Sequence, residues 1–564
     1  MQEIELKFLI PKSRLKGLIR QAKVKSSQVT QLAAHYYDTP DQKLASAGIG
    51  LRIRKEGDAW VQTIKAGGDG IAARLEHNAI LDNEQVQAML AANLLIPDLT
   101  IYKETVIAPV LAEFNLKKLA KKLTRLYVTD VLRTTRLLTD DIDDETSNCI
   151  EMAYDDGEII HGNDAGQRAT IHEIEFELLS GDLDFLFATA KTWCQRHKLC
   201  LSTVTKAERG GLLISGQHFS PAVSANLNEL AIDKASSKPA FIRAVVHNCL
   251  LQILPNSSAI VAGSIDHGHI TELYEGIFRL RCALKTFDQF SDELNPDWLI
   301  ILKQTATALD DYQKLTYLTQ HIEPMLQSHG APMVDWMINN KALKIKPIDA
   351  IATNDFQLTL LELIAFTMSD PRLEPQADEL AANDLTKIVN KRYKKLLKTQ
   401  ENLDDESGTK TDSMNVENRA TDNNDVDENQ IESLDEQSLN SQDLDAHDLD
   451  AHDLDLQVRD NNQGLYNLCR QLNNLGVISE FVVPLFNNKK VRSKNKRWLN
   501  RLKKAQKALN RQLDSTYYQQ YYQYKAHSDA NALFGAGWLK ASLVTTEKKT
   551  EKQMAKLKST AIFW

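Results

Sequence analysis

Apolar residues recur at every second position through much of residues 1–214 and at every third or fourth position from about residue 239 onward. That change of period constrains the fold more than any other feature. A period of two belongs to a half-buried strand, whereas a period of 3.6 belongs to an amphipathic helix. Stretches such as Glu3–Leu9, Leu51–Arg54 and His172–Leu178 alternate and are separated by Gly, Asp and Asn clusters, so they read as strands. Helical pieces interrupt them at Lys12–Lys23, Asn83–Ala92 and Leu183–His197. Later, Phe278–Phe287 and Lys496–Leu513 space apolar residues for helices, and Gly and Pro become sparse, which predicts a bundle. The expected class is α+β, an antiparallel β-barrel followed by an all-α helical bundle.

Charge divides the chain further. The 564 residues carry a net charge of -9, but Glu401–Asp460 alone holds 20 acidic residues against Lys410, Arg419 and Arg459. This stretch has no Phe, Tyr, Trp or Cys and repeats Asp-Leu-Asp-Ala-His at 443–447 and 448–452, so it reads as a disordered acidic insertion. The expected organisation is a barrel over 1–214, a linker over 215–238, a helical bundle over 239–400 and 461–564, and the insertion over 401–460. The rest of the chain is basic once the insertion is set aside. No run of about 18 apolar residues is read, so no membrane span or membrane partner is expected. Met1–Glu5 lacks a secretory layout, and six cysteines without a C-x-x-C pair argue against a disulfide framework or a zinc site, so a cytoplasmic location is expected.

Strand parity puts Glu3, Glu5 and Lys7 on one face, and likewise Arg52 with Arg54, Arg74 with Glu76, and Glu173 with Glu175 and Glu177. One such pair alone is what the solvent face of a sheet looks like. Three carboxylates on one face, however, repel one another unless cations sit between them. A closed barrel of about eight strands has an interior wide enough for side chains or one small ligand. Turned inward, these residues with Lys65, Arg133 and Lys206 would form a cavity with cationic and acidic walls, suited to a polyphosphate carrying divalent metals. No G-x-x-x-x-G-K-[ST] loop occurs, which excludes a P-loop nucleotidase, and no Ser-His-Asp or Cys-His arrangement is needed. His172 falls on the face opposite Glu173 and reads as structural.

Glu3-x-Glu5-x-Lys7 resembles the signature of the CYTH superfamily, the triphosphate tunnel metalloenzymes. Further landmarks follow in family order: Leu51-Arg52-Ile-Arg54, Gln62-Thr-Ile-Lys65, Arg74-x-Glu76, Thr129-Asp130-x-x-Arg133, Glu151 to Glu158 with a turn at Gly157, Glu173-Ile-Glu175 and Lys206-Ala-Glu208-Arg209-Gly210. Thr205 stands where relatives usually carry Ser, and Val131 where an aromatic residue is common. The helical part resembles a CHAD domain, through Arg279-Leu-Arg281-x-Ala-Leu-x-x-Phe287 and Leu502–Asp514, although Thr271, Tyr274 and Phe278 stand where that family presents His and Arg.

The resemblance implies that Lys7, Arg52, Arg54, Lys65, Arg74, Arg133 and Lys206 hold phosphates, while Glu3, Glu5, Glu173 and Glu175 hold one or two Mg²⁺ or Mn²⁺ ions. Glu5, Lys7, Arg52 and Lys65 form the implied catalytic set, with Glu76, Glu151, Asp155 and Glu177 in second rank. The implied activity is hydrolysis of inorganic tripolyphosphate to pyrophosphate and phosphate. A non-catalytic polyphosphate binder, or an enzyme acting on thiamine triphosphate or ATP, are the alternatives. Lys490, Lys494, Arg497, Arg501 and Lys504 share a helical face, and Lys391, Arg392, Lys394, Lys395 and Lys398 form a second cluster; together they are the expected place for long-chain polyphosphate. No aromatic platform or reading motif accompanies that charge, which argues against nucleic acid.

Overall fold

A computed structural model describes residues 2–68, 71–92, 94–140, 148–336, 346–408, 462–486 and 492–562. From residue 409 to 460 the expected insertion lies outside the described residues, as does Lys490. The described residues belong to two compact units. The first comprises Met1–Ile232, Ser236–Gln313 and Lys346–Glu379; the second comprises Asp233–Ala235, Lys314–Ile345 and Leu380–Trp564.

The first unit is built on a barrel. Its strands are β1 (Gln2–Leu9), β2 (Gln28–Asp38), β3 (Gly50–Glu56), β4 (Ala59–Ala66), β5 (Ala73–Leu81), β6 (Thr124–Thr139), β7 (Cys149–His161) and β8 (Arg168–Ser180). They pair antiparallel in the order β5-β4-β3-β2-β6-β7-β8-β1, and β1 returns to β5 to close the ring. Closure leaves the barrel without a free edge between β1 and β5 and encloses an interior in which charge can be buried in an organised way. The two-residue β9 (Cys200–Leu201) adds to β1 from outside.

Side-chain alternation makes this barrel apolar outside and charged inside. On β3, Leu51 and Ile53 are buried in an outer cluster with Trp60, Ile64, Leu99 and Tyr102, while Arg52 and Arg54 face the cavity. On β1, Phe8 packs edge-on against Phe176 of β8 at 5.9 Å, and Phe176 packs on Trp193 of the Leu183–His197 helix at 5.6 Å. Burying each such ring contributes about 2–3 kcal/mol, so the outer shell supplies the hydrophobic stabilisation that the charged interior does not. Gln62, fully buried, clamps the outer 94–102 segment to β4 through Asp98 O and Tyr102 Oη, both at 2.9 Å.

Gly157 departs from the expected turn. It lies inside β7 opposite Val131, where a Cβ would come 2.1 Å from Asp130 O. Close backbone approach, rather than chain reversal, is why glycine stands there.

The helices after residue 238 do not all separate from the barrel. The Asn354–Met368 helix accepts Leu201 N–H on Gln357 Oε1 at 2.8 Å, and its Glu362 pairs with Lys191 at 2.6 Å. Packing within the first unit therefore crosses the 214–239 region where the period changes. The Lys238–Val261 helix is, by length and composition, apolar enough to cross a membrane, but 72% of that window is buried inside the protein, as in a core helix. Arg243, His247 and the polar Asn and Gln residues of this helix interrupt any continuous apolar run in the sequence.

The second unit contains the helices Ala382–Gly408, Gln463–Val482, Arg492–Lys525 and Ala532–Lys558. Trp498, Leu502, Ala505 and Leu509 are buried along one side of Arg492–Lys525, as the 3.6 period requires. Lys494, Arg497 and Lys504 are exposed and Arg501 is half-buried.

Candidate active site

The barrel interior opens into a cavity of about 2190 Å³ lined by side chains from strands around the ring and, beyond them, by parts of residues 202–223 and 255–262. Three groups of charge organise it.

The first group centres on Lys206, the first residue of the Lys206–Ile214 helix, whose N-cap Thr205 accepts Glu208 N–H at 3.0 Å. The hydroxyl that replaces the usual serine thus still caps the helix. Lys206 Nζ lies 2.7 Å from Asp155 and 2.8 Å from Glu175, and it also pairs with Glu173. Arg133 grips Asp155 with two parallel bonds of 2.7 and 2.6 Å and reaches Glu175 at 2.7 Å. Lys7 Nζ stands 3.8 Å from Glu175. Burial alone would raise the carboxyls of Glu175 and Asp155, but Lys206 and Arg133 overcome it, so both are held below the usual carboxylate range, Glu175 well below. Asp155, Glu173 and Glu175 bring their oxygens within 4.8 Å of one another.

The second group centres on Lys65 of β4. Its Nζ lies 2.7 Å from Glu3, 2.9 Å from Glu76 and 3.9 Å from Glu5. Glu3 and Glu76 are hydrogen-bonded to one another: burial and that partner push Glu3 up, while Glu76 is held down, against burial, by Glu3 and Lys65. Next to them runs a row of carboxylates across three strands, with Glu5 opposite Glu177 and Glu177 opposite Glu151. Burial raises Glu177 to about 7; Lys65 opposes the rise, and Glu5, Glu76 and Glu151 add to it.

The third group is the arginine wall. Arg52 is half-buried, donates to Tyr36 Oη at 3.4 Å and has a buried Nε–H without a partner. Arg54 pairs with Glu56, and burial followed by the nearby Arg52 lowers it to about 10. Arg74 lines the cavity on β5, opposite Glu3.

All the residues expected in the site are in or beside this cavity, but they are not one cluster. Glu3 and Glu5 gather around Lys65 with Glu76, whereas Glu173 and Glu175 gather around Lys206 with Asp155. Glu173 is fully buried and is also approached by Arg209 at 3.4 Å. The carboxylate brought across from Glu5 is Glu177, through its strand register. Of the four residues expected to act in catalysis, Glu5 and Lys65 stand together, while Lys7 belongs with Glu175 and Arg52 with Tyr36.

Oxygen donors crowded around a single ammonium, with one carboxylate forced to about 7, are the donor set that Mg²⁺ or Mn²⁺ would take. The Asp155–Glu173–Glu175 group already has two cations, Lys206 and Arg133, between its carboxylates. Both groups offer oxygen donors to a divalent ion: Asp155, Glu173 and Glu175 with theirs within 4.8 Å of one another, and Glu3, Glu5 and Glu76 around Lys65, with Glu177 in register beside Glu5.

Sequence pattern placed Asp155 in second rank and did not mark Tyr36. Asp155 lies opposite Arg133 and Glu173 in register and shares parity with Glu151, a signal that strand alternation could have supplied. Tyr36 carries no charge and its partner Arg52 is remote in sequence, so nothing in the pattern marks it.

Residues 1–210 match the CYTH domain family. An inorganic triphosphatase of Haemophilus influenzae is 31% identical over 223 residues, which are 38% of this chain and 56% of that protein. This chain thus spans about half the length of that relative. Among solved structures, a Hippeastrum protein described as having a dominant triphosphatase activity is 16% identical, at a TM-score of 0.27 over 38% of this chain and 96% of its own. The inorganic triphosphatase NE1496 is 14% identical, at a TM-score of 0.14 over 33% of this chain and 78% of its own.

Proposed function

Residues 1–210 are a CYTH domain, and on that premise we propose that the chain is a metal-dependent inorganic triphosphatase that hydrolyses tripolyphosphate to pyrophosphate and phosphate. The observation that carries this reading is the charge balance of the barrel interior. Lys7, Arg52, Arg54, Lys65, Arg74, Arg133 and Lys206 face Glu3, Glu5, Glu76, Glu151, Asp155, Glu173, Glu175 and Glu177. An interior already matched in charge cannot take a highly charged anion by itself. It suits an anion that arrives with divalent cations, whose added positive charge the surplus carboxylates would balance.

Glu3, Glu5 and Glu177, with Glu76 beside them, would hold the ion. A bound divalent ion supplies charge neutralisation and a lowered pKa for a coordinated water. Arg52, with its unmatched guanidinium edge, would take phosphate oxygens in a bidentate fashion, and Arg54 and Arg74 would extend that wall. Lys206 and Lys7 would supply point charges at the other end, freed from Glu175 as phosphate oxygens replace it. In hydrolysis, water adds to a terminal phosphorus and the bridging P–O bond breaks. The bridging oxygen leaves on pyrophosphate, and the positive groups stabilise the charge that develops there. The choice of an inorganic substrate is supported by the lining: Tyr36 and Tyr127 stack on each other at 4.8 Å, so the inner faces of these rings are closed to an organic head group. The test is product analysis by phosphorus NMR. Tripolyphosphate should yield equimolar pyrophosphate and phosphate with Mg²⁺ or Mn²⁺ and nothing in EDTA; binding without release would support a non-catalytic binder instead.

We also propose that the helical part is CHAD-like and takes long-chain polyphosphate on the second unit. Tyr393 packs edge-on against Trp498 at 5.3 Å, so the helix that carries the Lys391–Lys398 cluster touches the helix that carries Lys494, Arg497 and Arg501. Polyphosphate should bind there with strong salt dependence.

A further inference from the structure

The Lys206–Ile214 helix rests on a pair of tyrosines. Tyr36 of β2 and Tyr127 of β6 lie opposite one another in register, and their rings stack with an interplanar angle of 16°. Tyr36 Oη accepts from Arg52 at 3.4 Å, and Tyr127 Oη donates to Ala207 O at 2.9 Å. Ala207 follows Lys206 directly. One turn on, Gly210 sits over the Tyr127 ring so closely that a Cβ would come 2.1 Å from Cζ and 2.2 Å from Cε2. At the same helix, a Cβ on Gly50, two residues before Arg52, would meet Ala207 Cβ at 3.2 Å. Burial pushes the Tyr127 hydroxyl well above its ordinary range, so it remains a donor.

We propose that Tyr127, stacked on Tyr36 and covered by Gly210, is a positioning residue that fixes where Lys206 stands relative to Arg52 and thereby sets affinity for the triphosphate. Two of the phosphate-binding cations come from distant parts of the chain, one on a strand and one on a short helix. The stacked phenols join them, because each hydroxyl contacts one side: Arg52 on the strand, the Ala207 carbonyl on the helix. A side chain on Gly210 would lift the helix off the ring and draw Lys206 away from the cavity. This inference rests on the triphosphatase reading above.

The test is a double-mutant cycle on the full chain, with tripolyphosphate kinetics and Mn²⁺ binding by electron paramagnetic resonance. Gly210→Ala should raise KM about 10-fold or more while kcat changes less and Mn²⁺ affinity stays within about two-fold. Tyr127→Phe, which keeps the ring and loses the bond to Ala207, should raise KM about five-fold, as the loss of one neutral hydrogen bond would. In a Tyr127→Ala background the Gly210→Ala penalty should vanish, because the ring that collides with the new methyl is gone. If Gly210→Ala does not fold, Tyr127→Phe carries the test alone. A KM within two-fold of wild type for the folded variants, or a Gly210→Ala penalty that persists without the ring, overturns the proposal. Wild-type protein that neither binds nor hydrolyses tripolyphosphate overturns the triphosphatase reading and this proposal with it; wild-type activity with unaffected variants overturns this proposal alone.

Discussion

Two regions rich in basic side chains differ in how their charge is answered. In the barrel, every described lysine of the cavity core has a carboxylate within 4 Å, and Lys206 alone touches three. On the Arg492–Lys525 helix, no acidic residue occurs from Phe481 to Leu513, although Arg492, Lys494, Lys496, Arg497, Arg501, Lys503, Lys504, Lys507 and Arg511 all fall within that range. Lys503 finds Glu480, from a neighbouring helix, at 3.0 Å, and the other described bases of this face are left largely to solvent. Matched charge inside a closed ring makes a selective site: an occupant must replace specific ion pairs and bring its own counter-ions. Unmatched charge on an exposed face attracts any polyanion, with an affinity that salt weakens.

The largest effect should come from breaking the matched set. Glu5→Gln or Glu175→Gln should lower metal-dependent turnover by more than about 100-fold, since even groups behind metal ligands cost 10–100-fold when removed. Turnover near wild type in both would show that the carboxylates do not serve the reaction. Next, Arg52→Ala should cut kcat/KM by about 100- to 1,000-fold through lost stabilisation of developing charge, read in steady-state assays.

The pH dependence sharpens the contrast, because the barrel interior holds strongly displaced carboxylates. Glu177 is raised to about 7 from an ordinary 4.5. Between those values the folded protein keeps a proton that the unfolded chain has released, so this group's contribution to stability falls as pH rises through the window. Glu175 and Asp155 are lowered, so their contribution is present above the ordinary carboxylate range and lost as pH falls below it. In metal-free protein, thermal melting should therefore show stability declining on both sides, and Mn²⁺ should raise the melting temperature more at pH 8 than at pH 5.5. An equal Mn²⁺ effect at both would remove Glu177 from the ion's surroundings.

The smallest effects belong to the unmatched face. Reversing Lys494, Arg497 and Arg501 to Glu should weaken long-chain polyphosphate binding and flatten its salt dependence while tripolyphosphate hydrolysis is unchanged. Removing residues 401–460 should leave the melting temperature and the hydrolysis rate nearly unaltered and tighten polyphosphate binding modestly. Unchanged affinity in the reversed variant would discard the face as a binding site.

Much of this fold was legible because its signals are local. Alternation marked Glu3–Leu9 and Leu51–Arg54 as strands, and the Leu183–His197 helix was read to its observed ends. Charge parity also foretold which residues turn into the cavity. Pairing across the ring was not legible, since it depends on register between segments far apart in sequence. That is why Glu177, opposite Glu5, was ranked below Glu173, and why Gly157 was read as a turn when the close approach of β6 is what requires it. Tyr36 and Tyr127 were missed for the same reason: stacking across β2 and β6 leaves no trace in either segment alone.

The central claim is that the matched interior selects an inorganic triphosphate. The most direct measurement is kcat/KM of the full chain for tripolyphosphate, thiamine triphosphate and ATP, side by side at saturating Mn²⁺. Tripolyphosphate should be preferred by at least about 100-fold, the discrimination expected when an organic group finds no site to repay its desolvation. A kcat/KM for either organic triphosphate that equals or exceeds that for tripolyphosphate would contradict the claim.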